Sequence, residues 1–84
     1  MIILLHLSPN RFTPERQPQA QEAVRLFARN SVDEQDYCLS AHKCRLDGDE
    51  EGFKEYSLRA EFALWAAERQ LARLFELAGE AAPT

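Results

Sequence analysis

Three side chains in the middle of the chain have the chemistry to bind a metal or act as a nucleophile: Cys38, His42 and Cys44. On a helix, Cys38 and His42 stand four residues apart on one face, a spacing that can hold a metal ion. A thiol beside an imidazole is also the pairing that cysteine nucleophiles use. Cys44 does not join them, because at about 100° per residue it lies about 160° round the helix from His42. A fourth zinc ligand would have to be His6, whereas structural zinc sites bring paired ligands from short loops. Catalysis would also need a third group to orient the imidazole and a cleft for a substrate, which so short a chain is not expected to build. A disulfide is not expected either. Six helical residues set the two cysteines about 9 Å apart, and a bridge needs Cα atoms within about 7 Å. The three residues therefore read as reduced core or boundary residues, with no catalytic residue, metal or cofactor expected. A small metal-binding or redox module built on Cys38, His42 and Cys44 is the alternative reading.

The second chemical stretch is LDGDEEGFKEY, residues 46–56. A calcium loop of the EF-hand type wants acid or amide at its positions 1, 3 and 5, Gly at 6, an apolar residue at 8 and a bidentate Glu at 12. Counted from Asp47, the first four requirements are met by Asp47, Asp49, Glu51 and Gly52. The eighth residue is Lys54 and the twelfth is Leu58, so the residue that should supply two oxygens is missing. A helix corner accounts for the same residues more fully. Gly48 takes the left-handed conformation that ends one helix. Asp49 caps the next through its side-chain oxygen. Glu50 and Glu51 sit in the first turn, where the helix dipole favours negative charge. Gly52 alone has no role in this reading. The carboxylates Asp47, Asp49, Glu50, Glu51 and Glu55 are then an acidic surface open to a partner.

Charge and composition narrow the function classes. The 84 residues are 45% hydrophobic and 29% charged, with a net charge of −4, as expected of a folded single domain spanning 1–84. Residues 1–31 hold four Arg against two Glu; residues 32–55 hold Lys43, Arg45 and Lys54 against eight carboxylates. An acidic middle argues against nucleic acid and against an anionic membrane surface, since both need a basic face. A DNA-reading helix that opened with Glu50, Glu51 and Glu55 would repel phosphate; a DNA-binding regulator is kept only as an alternative. The opening MIILLHLSP lacks the positive charge and the length of a secretion signal, and nothing approaches an 18-residue apolar span. A cytoplasmic protein is expected.

Periodicity supplies the elements. Residues 2–7, apolar and β-branched, read as a short extended arm. Pro9, Pro14 and Pro18 forbid a regular helix across the lead-in up to residue 17. A first helix starts at Pro18 and runs to about Arg29, with Ala20, Val24, Phe27 and Ala28 on one side. Ser31 followed by Glu34 has the form of a capping box, so a second helix is expected over about 32–46, with an apolar stripe of Val32, Leu39 and Leu46. No Gly or Pro separates the two pieces, and one unbroken helix over 18–46 is the alternative. The third helix, about 50–78, is marked by Phe53, Ser57, Ala60, Leu64, Ala67, Leu71, Leu74 and Ala78, in alternating steps of four and three. That is a heptad seam, and it stops at Gly79, with a short tail over 79–84. The expected fold is all-α: a small bundle on an antiparallel hairpin of 32–46 and 50–78, with helix 18–29 and the arm packed across it.

One feature exceeds what that fold needs. Leu58, Phe62 and Trp65 form a second apolar patch on the third helix, well round from the seam. Either the first helix or the arm covers it, or it is an interface, where Trp and other aromatic anchors are enriched. The expected function is a non-enzymatic adaptor or inhibitor that binds another protein and forms a homodimer. One version is an acidic phage or mobile-element protein that blocks a host nucleic-acid-binding enzyme. The interaction residues would be Leu58, Phe62 and Trp65 with Asp47, Asp49, Glu50, Glu51 and Glu55.

Overall fold

Two long helices lie antiparallel against each other. In the computed structural model, residues 12–79 are described; the extended arm expected at 2–7 and most of the expected tail lie outside them. Helix α1 spans Gln17–Leu46 and helix α2 spans Glu50–Leu77. No strand occurs among the described residues.

The expected break at Asn30-Ser31 does not occur. Residues 18–29 and 32–46 belong to one helix of 30 residues, the unbroken helix that stood as the alternative, so the 18–29 segment is not a separate helix packed across the hairpin. A capping box needs its Glu to reach back to the cap residue. Here the Glu34 carboxylate instead accepts from the Cys38 thiol, one turn ahead, at 3.8 Å. With neither Gly nor Pro to interrupt it, the backbone simply continues its i to i−4 bonding. Upstream, Arg16 N–H and Gln17 N–H both donate to the Thr13 carbonyl, at 2.9 and 3.1 Å. This turn delivers the chain into α1 with Pro18 in the first helical turn, where its missing N–H costs no intrahelical bond.

The seam of α2 forms as the heptad spacing implies. Ala60, Ala67 and Leu74 are buried, and Phe53, Ser57, Leu71 and Ala78 are partly buried, while Leu64 remains 42% exposed. The matching face of α1 is not the stripe expected from its most apolar residues. Val32, Leu39 and Leu46 are 55%, 68% and 75% exposed and point away from α2. The covered positions are Ala20, Ala23, Phe27, Asn30, Glu34, Tyr37, Ala41 and Cys44, again in steps of three and four. The reason is geometric. Small residues let two helix axes approach closely, so the Ala-bearing faces meet and the longer side chains of the opposite face stay outside.

Tyr37 and Tyr56 stack across the hairpin with centroids 6.3 Å apart. At the open end Ala20, Ala23 and Leu74 form the buried cluster, with Phe12 and Leu77 packed on it. The Arg16 guanidinium donates to the Leu77 carbonyl at 3.1 Å, satisfying an acceptor that the end of α2 leaves free. Leu74 is the largest fully buried side chain, at 1% exposure.

Leu74→Ala should therefore cost about 2–4 kcal/mol of unfolding free energy. Leu39→Ser, at an equally apolar but exposed position, should change it by less than about 0.5 kcal/mol. Urea unfolding followed by far-UV circular dichroism measures both.

Candidate functional site

The acidic stretch is a corner, and its parts are locked together. Gly48 has φ +77°, in the left-handed region that other residues avoid. Its N–H donates to the Arg45 carbonyl at 3.2 Å, and Asp49 N–H donates to the Cys44 carbonyl at 2.8 Å. These are the paired bonds of a Schellman stop. Asp49 then caps α2: its carboxylate accepts from Gly52 N–H at 2.9 Å. Gly52, which the sequence left without a role, is explained by the same contact. A Cβ there would collide with the Asp49 carboxylate and come within 2.8 Å of the Cys44 sulfur. One Asp49 oxygen is thus committed to the backbone, and the calcium-loop pattern is a by-product of two helix-end signals placed side by side. Asp47, Glu50, Glu51 and Glu55 are exposed and available to a partner.

The Cys38, His42 and Cys44 set comes apart. Cys44 turns into the corner beside Gly52. Cys38 and His42 instead line a shallow cleft of about 340 Å³ between the helices, opposite Phe53, Ser57, Ala60 and Leu64. Such a cleft was not expected from the sequence. It arises because Ala41, Ser57 and Ala60 are too small to fill the space between Phe53 and Leu64. Glu34, Arg45 and Glu61 stand on its walls, so charges of both signs border an apolar floor. Arg45 leans over the Phe53 ring, 5.3 Å from its centroid. Both cysteines are free thiols. Among the described residues no three His, Cys, Asp or Glu side chains come together as a metal-holding group.

Both thiols have pKa values shifted upward. Desolvation raises the Cys38 pKa, and the Glu34 carboxylate raises it further by like charge and by accepting the S–H. Desolvation also raises that of Cys44, reinforced by the Asp49 carboxylate and by Asp47. A nucleophilic cysteine needs the reverse, a partner that stabilises thiolate.

Leu58, Phe62 and Trp65 lie on the far side of α2 from α1 and are 51%, 55% and 52% exposed. The first helical segment does not cover them, because it is part of α1 and occupies the opposite face. Phe62 and Trp65 meet edge to face with centroids 5.4 Å apart, so the two rings form one raised ridge. The structure thus places the apolar patch and the acidic corner as neighbours along α2. Among the described residues, no helix is long and apolar enough to cross a membrane.

Because both thiol pKa values are raised, alkylation by iodoacetamide at pH 8 should be slower in the folded chain than in the urea-unfolded chain. The rate should climb with pH through a midpoint above that of a free cysteine. Mass spectrometry of each cysteine, with Glu34→Gln expected to speed Cys38 alone, checks the cause. Comparison with protein-family models, curated proteins and solved structures finds no match to this chain.

Proposed function

We propose that this chain is a non-enzymatic helical interaction protein, an adaptor or inhibitor that acts in the cytoplasm by binding another protein. The observation that supports an interaction role most directly is the Leu58, Phe62 and Trp65 ridge, three large apolar side chains about half exposed on one helix face. Monomeric proteins seldom leave a contiguous apolar patch without a use. Aromatic anchors flanked by charge are the usual composition of a binding hot spot. The raised thiol pKa values support the non-enzymatic part of the reading, since Cys38, in the cleft with His42, has the Glu34 carboxylate as its hydrogen-bond partner.

The acidic corner is the second contact surface. Asp47, Glu50, Glu51 and Glu55 project from one end of an elongated molecule whose extents are 51 × 24 × 17 Å. A narrow acidic end of this kind suits the basic groove of a nucleic-acid-binding enzyme, which it would enter in place of phosphate. This is how a small phage or mobile-element inhibitor of a host enzyme would work, and the 9.6 kDa mass and net charge of −4 are consistent with it.

The test uses Asp47→Lys/Glu50→Lys, which keeps the Asp49 cap and leaves the ridge untouched. Wild type and variant are tethered and exposed to extract from the cells that make the protein. A protein retained in stoichiometric amount by wild type and at least about tenfold less by the variant is expected. Equal retention overturns the role of the corner. The lack of any stoichiometric partner overturns the reading.

A further inference from the structure

The outer face of α2 extends well past its apolar centre. Steps of three and four from Phe62 lead back through Leu58 and Glu55 to Glu51, and forward through Trp65 and Arg69 to Arg73. At about 100° per residue all seven stay within about 40° of one line, nearly opposite the seam with α1. All seven are exposed. At 1.5 Å per residue the line is about 33 Å long. Its order is two acids, three apolar residues and two bases.

That order is self-complementary. We propose that α2 pairs antiparallel with α2 of a second copy, with the two-fold axis passing at Phe62. Glu55, seven residues before Phe62, then faces Arg69, seven residues after it. Glu51, eleven before, faces Arg73, eleven after. Symmetry makes each pair twice, as a two-fold interface requires. The apolar side chains meet in the middle, where Phe62 packs on its own copy beside Leu58 and Trp65. The parallel arrangement would set acid on acid and base on base along the whole face, which is repulsive. Two of the four charges already have an own-chain neighbour: Glu55 pairs with Arg59 at 2.7 Å, and Arg73 lies near enough to help lower the Glu22 pKa. The assembly is a four-helix bundle with the two α2 helices inside and the acidic corners at opposite ends. The inference rests on the interaction reading and names the occupant of the ridge; Asp47 and Glu50 of the corner remain free for a different protein.

Light scattering from low to high micromolar concentration tests it on the full chain. Wild type is expected at twice 9.6 kDa, and Phe62→Glu/Trp65→Glu at the monomer mass with unchanged helicity. Glu55→Arg alone and Arg69→Glu alone should each weaken the dimer about tenfold, and the double variant should restore it. These surface positions decide the question even if Phe62→Glu/Trp65→Glu fails to fold. A wild type that is monomeric throughout overturns the proposal but leaves the acidic-corner test standing. So does a dimer indifferent to the ridge and charge variants yet broken by Leu39→Glu, which would place the interface on α1. A double charge variant no better than the singles overturns the antiparallel register.

Discussion

The close approach of two alanine-bearing helix faces is the constraint on which the rest of this molecule depends. Five of the seven buried apolar residues among those described are alanines. Alanine contributes little apolar area per residue, so the hairpin is held by contact over length rather than by a thick core. A seam of that kind accommodates few large side chains, and the remaining ones must go elsewhere. Among the described residues, Val24, Val32, Leu39 and Leu46 on α1, and Leu58, Phe62, Leu64 and Trp65 on α2, are the exposed remainder. The cleft beside Ala41, Ser57 and Ala60 has the same origin. Small residues chosen for helix approach leave hollows wherever a larger neighbour does not reach in.

The seam explains which parts of the fold were legible. In α2 the residues of the packing face are also the most apolar at their spacing, so Phe53, Leu71 and Leu74 marked it openly. In α1 the two properties part company. The packing face carries Asn30 and Glu34 in its middle and alanine at its ends, while Val32 and Leu39 decorate the back. Periodicity analysis follows hydrophobicity, so it chose the back. The false break at Asn30-Ser31 has another source: Ser31 and Glu34 have the spacing of a capping box, which inside a continuous helix carries no stop. Burial depends on the partner surface as well as on the residue itself, and a single chain read residue by residue does not contain the partner's shape.

The corner was legible in outline and not in detail. Gly48 and Asp49 carry local signals whose meaning does not depend on distant residues. Gly52 was opaque for the opposite reason. Its constraint is the Asp49 carboxylate folded back over it, together with the Cys44 sulfur, eight residues earlier, brought close only because the preceding helix ends as it does. Helical phase alone already separates Cys44 from Cys38 and His42; its place beside Gly52 is visible only after the chain has turned. The positions of functional interest on the outside of α2 fall between these cases. Their spacing was evident, but their exposure could be known only once α1 was seen to occupy the other side.

The hairpin is secured unequally along its length. At one end the chain itself joins the helices through the tight turn at Gly48. At the other, Leu74 seals against Ala20 and Ala23, and Arg16 reaches the carbonyl of Leu77, 61 residues further along the chain. Between them lies the stretch around Asn30 and Glu34, where the packing face of α1 is polar and half solvated. Opening free energy follows the density of buried apolar contact, so amide exchange should be slower near Leu74 than around Asn30 and Glu34. A rod fastened at both ends and loose in the middle can bow without unfolding. Its outer α2 face can then adjust its curvature to whatever lies against it while the two ends hold register.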